Sequence, residues 1–287
     1  MLIDAHCHPF DLKSFIPEFE KERRQLNVIA AASAHEISEF AHNENLSRNA
    51  ALDNAPPLLA CFGIHPQIFK IKNEQLTKNN EQRTEDKEQL TGNKEQFDFN
   101  NLLETLEMLA SGKRIAAIGE CGFDLYNSAF RETEALQDHF FAAQLEITLR
   151  YELPVVLHVR RAIHKVFAVS DILSKCKAVI FHSWSGTLEE ANALLHRGIN
   201  VYFSFGNTIM LNHKQAMRSC ALLPAERLLT ETDAPYQPRR GQNFSQWADL
   251  PFIIEAAAAL RNEAGNKTNT EGLENQIEIN FHKAFSF

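Results

Sequence analysis

The sequence predicts an α/β protein, a closed (β/α)8 barrel of the TIM type. Eight short apolar runs alternate with longer amphipathic stretches, the pattern of parallel strands each followed by a helix. Several of the runs are continuously apolar, as strands buried on both faces are. The length of 287 residues suits eight βα units, which typically need about 250. An open doubly wound sheet is the rival arrangement, but no Gly-rich dinucleotide fingerprint follows the first strand. Residues 1–287 therefore read as a single barrel domain.

Each element has its own signal. Leu2-Ile3-Asp4-Ala5-His6-Cys7-His8 is the first strand, and Leu12–Gln25 is expected as a helix. Val28–Ser33 reads as a strand and Glu36–Asp53 as a helix. Leu58–Ile64 is a strand closed by Pro66, because proline cannot donate to a ladder. A helix at Leu102–Ala110 precedes a strand Arg114–Ile118 that runs into Gly119-Glu120-Cys121-Gly122. Glu132–Tyr151 carries Ala135, Phe140, Leu145 and Leu149 among its apolar positions and is the clearest helix. Pro154–His158 is a strand, Ala162–Lys175 a helix and Ala178–His182 a strand. Thr187 is placed to cap a helix containing Glu189–His196, with Gly198 just past its end. Asn200–Phe205 is a strand, His213–Ala221 a helix, and Leu228–Asp233 the eighth strand. Pro251–Arg261 and Gln276–Phe285 close the chain as helices, with a polar loop at Asn262–Asn275 between them.

One segment stands outside this alternation. From Asn73 to Asn100 the chain reads NEQLTKN, NEQRTED, KEQLTGN, KEQFDFN. Only one position per unit is sometimes apolar, whereas a coiled coil needs two per heptad. Residues 73–100 are therefore expected to be a solvated polar insertion within the barrel domain.

Composition narrows the function. Apolar residues make up 44%, and no run approaches a membrane span. Met-Leu-Ile-Asp lacks the basic region of a signal peptide. Cys7, Cys61, Cys121, Cys176 and Cys220 are odd in number and unpaired in spacing, so a cytoplasmic chain without disulfides is expected. The net charge of −8 excludes a large basic nucleic-acid face. It leaves room for an anionic substrate, because bound cations supply positive charge locally.

The chemistry lies at the strand ends. In a strand, alternate side chains share a face, so His6 and His8 point the same way about 6.5 Å apart. Glu120, His158, His182 and Asp233 likewise end apolar runs, and in a barrel all such edges meet at the catalytic face. Any one of them reads equally well as a hydrogen-bonded loop residue. Six at one edge do not. They exceed the needs of one tetrahedral cation and suit two bridged by a carboxylate. Glu231 should share Asp233's face and lie deeper, ordering the ligands. Cys7 and Cys121 alternate to the opposite face, as packing residues.

Asp-Ala-His-Cys-His, Gly-Ile-His-Pro, Gly-Glu-Cys-Gly-Phe-Asp, Leu-His-Val-Arg, Phe-His-Ser-Trp-Ser-Gly and Glu-Thr-Asp-Ala-Pro-Tyr resemble the signatures of the TatD family of metal-dependent deoxyribonucleases. They occur in that family's order, and the closing Asn280-Phe281-His-Lys-Ala-Phe285 is similar to its last motif. The resemblance implies a metal set of His6, His8, Glu120, His158, His182 and Asp233 holding two divalent cations (Mg, Zn or Mn). Glu120 would bridge, with His6, His8 and Asp233 on one cation and His158 and His182 on the other. Asp233 would orient and deprotonate the attacking water, and His65 would serve the phosphate or the leaving oxygen. Arg160 would clamp phosphate, and Trp184, Phe123, Tyr126 and Tyr236 are candidates to stack on bases. The implied activity is 3′–5′ removal of nucleotides from single-stranded DNA ends.

Three positions depart from the family pattern: Arg161, where an acid is usual, Trp184, where Phe is common, and the segment Arg239–Phe244, which lacks a proline after Asn243. They leave the ligand set intact and alter the substrate side. Two rival readings stand beside the nuclease. One is hydrolysis of a small amide, lactone or phosphoester, since one barrel site serves many chemistries. The other is a metal-stabilised scaffold, which six ligands argue against, because a structural site closes with four.

Overall fold

The computed structural model describes residues 1–70 and 99–287, so most of the 73–100 repeat lies outside the described residues. Among the described residues, eight strands follow one another in chain order: β1 Leu2–Cys7, β2 Val28–Ala32, β3 Leu58–Ala60, β4 Ile118–Asp124, β5 Val155–Arg160, β6 Val179–Phe181, β7 Val201–Phe205 and β8 Leu228–Thr230. All neighbouring pairs are parallel, in the orders β1-β2-β3 and β4-β5-β6-β7-β8.

Two seams join these sheets into the barrel. Between β3 and β4, Ala116 N donates to Ala60 O at 2.9 Å, and Phe62 bridges Ile118. Between β8 and β1, Asp233 N donates to His6 O at 3.0 Å and His8 N to Ala234 O at 2.7 Å, while the Thr230 hydroxyl donates to Ile3 O. The second seam is made by the residues that carry the site. Closing the barrel therefore sets His6, His8 and Asp233 side by side.

Helices cover the outside, and Ile29, Val156, Ile180, Val201 and Leu229 are among the fully buried strand residues. The helix Glu134–Arg150 buries Phe141 and Leu145. The last helix, Thr270–Phe285, is pinned by Asn280, whose amide donates to Ala225 O and Leu228 O at 2.7 and 2.8 Å. All five cysteines are free and buried. Among the described residues, no helix is long and apolar enough to cross a membrane.

Several boundaries differ from expectation. The helix expected over Leu12–Gln25 is two pieces, Pro9–Leu12 and Phe19–Gln25, because Pro17 disfavours helix at the residue before it. Ala162–Lys175 likewise divides into Ile163–Ala168 and Ser170–Leu173. The final helix starts six residues earlier than read, at Thr270, where Asn269 accepts from Gly272 N. Strand β4 starts at Ile118, so Glu120 sits inside the strand rather than at its end. Gly119 and Gly122, at φ of 147° and 130°, approach β5 closely. A Cβ at Gly122 would lie 2.3 Å from His158 O, which only glycine avoids. Strand β8 stops at Thr230, and Asp233 follows in a left-handed conformation at φ 52°.

Candidate metal centre

Glu120 is the hub of the site. Its Oε2 lies 3.2 Å from His6 Nε2 and 3.7 Å from His8 Nε2. Its Oε1 lies 2.6 Å from His158 Nδ1, 2.8 Å from His182 Nε2 and 3.2 Å from His65 Nε2. One carboxylate thus separates the histidines into two sets.

On the Oε2 side, His6 Nε2 and His8 Nε2 are 3.1 Å apart, and Asp233 Oδ1 is 3.5 Å from each. Four ligands held about 2.1 Å from one cation at tetrahedral angles stand about 3.4 Å apart. The observed separations match that figure. Among the described residues, four groups could hold a metal ion: His6–His8–Asp233, His6–Glu120–His182, His8–His35–Glu120 and His65–Glu120–His158. Imidazole nitrogens and carboxylate oxygens suit Zn and Mn, and the carboxylates suit Mg.

Further polar groups orient this set. Ser33 Oγ is 3.1 Å from His6 Nδ1. Asp124 Oδ2 is 3.3 Å from His158 Nε2 and accepts from Gln67 Nε2 at 2.7 Å. Glu231 accepts from Ser183 N at 2.7 Å and lies 3.5 Å from His182 Nδ1. Gln237 Nε2 donates to Asp233 Oδ2 at 2.5 Å, and buried Asp4 accepts from Thr232 Oγ1 at 2.6 Å. Such outer partners fix ring orientation and ligand basicity.

The electrostatics are those of a buried anionic hub among imidazoles. Burial opposes charge on Glu120, yet His182, His65 and His6 hold its carboxyl well below the usual carboxylate range. Burial likewise opposes charge on His182, which Glu120 raises well above its ordinary value. Burial lowers His6, His65 and His35. Burial works against Asp124 too, but His158 and Gln67 bring it down to about 2.

All six expected ligands and His65 come together. Arg160 and Tyr236 line the same cavity of about 880 Å³; Tyr236 is half exposed and its hydroxyl donates to Asp11. Trp184 does not fit its expected stacking role. It is buried, edge-on to Phe181 and Phe203 and against Gly186, so its faces are taken up by packing. Phe123 is buried against Phe141.

Sequence reasoning passed over His35 and Asp124. Asp124 stands four residues after Glu120 on one strand, hence on the same face, a signal that was present. His35 follows the apolar run of β2 by three residues, with Nδ1 3.2 Å from Gly63 O and Nε2 3.8 Å from Glu120 Oε2.

The comparisons agree with the motifs. The family model described as TatD related DNase matches residues 3–286. A protein of Pantoea ananatis named 3′-5′ ssDNA/RNA exonuclease TatD is 35% identical over 193 residues, 64% of this chain and 71% of that one. An uncharacterized metal-dependent hydrolase of Mycoplasma pneumoniae is 29% identical over 239 residues, 81% of this chain and 80% of its own length. In fold, the chain resembles the crystal structure of YjjV, a TatD homolog from Escherichia coli K12. The TM-score is 0.78 at 24% identity, covering 100% of this chain and 98% of that one. A TatD family hydrolase of Entamoeba histolytica gives a TM-score of 0.69 at 14% identity, covering 99% and 97%. Because the family model spans residues 3–286, the chain is a metal-dependent hydrolase of ester bonds and belongs to the TatD related DNase family.

Proposed function

We propose that the chain removes nucleotides from the 3′ ends of single-stranded DNA, using two divalent cations shared across Glu120. The observation that carries this reading is the division of Glu120, with Oε2 toward His6 and His8 and Oε1 toward His158 and His182. The name of the Pantoea relative supports the substrate class. When bound, the cations supply Lewis acidity to the phosphoryl oxygens and to the attacking water.

The residues do the remaining work. His6, His8 and Asp233 would hold one cation, and His158 and His182 the other. Gln237 fixes Asp233 through Oδ2, so that its carboxylate orients the water and takes its proton. Gln67 N donates to His65 Nδ1, so the neutral ring carries its proton on Nε2. His65 is then a donor toward the scissile phosphate or the leaving oxygen. Arg160 neutralises phosphate, and the half-exposed Tyr236 ring offers a stacking face.

Elemental analysis of the wild-type chain and of Glu120→Ala tests this assignment. Two cations per wild-type chain are expected. The variant should lose at least one, and at least about 100-fold in hydrolysis, with its circular dichroism unchanged. A variant that keeps both cations and the full rate contradicts it.

A further inference from the structure

A second cavity of about 470 Å³ adjoins the metal-site cavity, sharing Val159, Arg160, His182, Ser183, Ser185 and His213 with it. Its outer wall carries Tyr126 beside two guanidinium groups. Arg160 Cζ lies 3.7 Å and Arg161 Cζ 4.6 Å from the Tyr126 ring centroid, and Arg161 Nη1 donates to Tyr126 O at 3.2 Å. All three residues are exposed.

Among the described residues, neither Arg160 nor Arg161 forms an ion pair with a carboxylate. Two adjacent unpaired arginines are unexpected on a chain of net charge −8. Among the described residues, the only carboxylate lining the cavity is Glu190, which accepts from Thr187 N at 2.7 Å and caps its own helix. His213 Nδ1 accepts from Ala216 N, which leaves its Nε2–H as a donor when the ring is neutral. The cavity therefore offers cationic forks, an aromatic ring and a hydroxyl donor from Ser185, while the Ser183 hydroxyl donates to Gln237 Oε1 at 2.9 Å. Those are the groups that hold a phosphate and a base.

We infer that this cavity is a second nucleotide subsite, holding the nucleotide 5′ to the scissile phosphate, with Arg161 on its phosphate and Tyr126 against its base. The inference rests on the exonuclease reading. A cavity of about 880 Å³ at the metal-binding residues accommodates the terminal nucleotide and the scissile phosphate. The adjoining cavity is where the chain continues. Binding energy gathered there by a non-reacting part of the substrate favours polymers over isolated esters.

The test compares hexathymidylate with thymidine 5′-(p-nitrophenyl phosphate), a single-nucleotide ester, for wild type, Arg161→Glu and Tyr126→Ala. The ratio of the two kcat/KM values should fall roughly tenfold in Arg161→Glu, chiefly through KM on the hexamer. The dependence of binding on log salt, read by anisotropy on a 3′-blocked hexamer, should become shallower by about 0.7. Tyr126→Ala should lower the ratio and leave the salt slope in place. Folding of both variants is checked by thermal unfolding. A wild-type enzyme that shortens the hexamer, with the ratio and the slope unmoved in Arg161→Glu, overturns the subsite alone. A wild type that leaves the hexamer intact overturns the exonuclease reading and the subsite with it.

Discussion

Ser33 Oγ lies 3.1 Å from Nδ1 of His6, so the end of β2 aims a ligand carried by β1. The contact fixes the ring with Nε2 toward Glu120 and Asp233. Ser33 is itself held, since Asn43 Nδ2 donates to its carbonyl at 3.1 Å.

Ser33→Ala should therefore weaken cation binding about 10- to 100-fold, as loss of an outer partner of a metal histidine does. The change in thermal stability should be small. Competition with a chromophoric chelator reads the affinity. An unaltered affinity would show that packing alone orients His6.

Arg23 is fully buried, with Nη1 donating to Val28 O and Pro56 O, both at 2.7 Å, and Nε to Glu20 at 2.7 Å. It ties the helix Phe19–Gln25 to the start of β2 and to the segment entering β3. Arg23→Ala removes the donor shared by the carbonyls of Val28, Pro56 and Pro57 and leaves the Glu20 carboxylate with Arg24 alone. It should cost about 3 kcal/mol, measured by urea unfolding. A loss below about 1 kcal/mol would show that water replaces the guanidinium there.

Phe69 precedes the repeat and Phe99 lies in its last unit, and their ring centroids are 5.1 Å apart, with Phe140 packed against both. The two ends of the insertion thus meet on a fixed apolar anchor. Deleting Gln75–Lys94 should leave stability nearly unchanged, since loop closure varies by only about 0.6 kcal/mol per doubling of length. Thermal unfolding and the hydrolysis rate check this. A collapse of either would give the repeat a packed or functional role.

The strand ligands were legible because hydrophobic runs and barrel topology together specify where strand ends converge. Glu120 was found although it lies within β4, since its motif marks it regardless of where the strand stops. What escaped was set by tertiary contacts. Trp184 carries the residue type of a stacking platform, but its packing against Phe203 and Gly186 follows from the neighbouring strand. Arg239, in the segment that departs from the family pattern, pairs with buried Asp249 at 2.7 Å. His35 and Ser33 follow a run of alanines in β2, and their roles depend on Gly63 O and His6, which belong to the segment after β3 and to β1.

The central claim is metal-dependent trimming of single strands from the 3′ end. Its most direct test is a time course on 5′-labelled oligonucleotides (single-stranded, duplex and 3′-blocked) with metal-depleted and reconstituted enzyme, beside small phosphodiesters and lactones. The account predicts a one-nucleotide ladder on the unblocked single strand only after reconstitution, slower trimming of the duplex, and none of the blocked strand. Efficient turnover of the small esters with every oligonucleotide left at full length would contradict it.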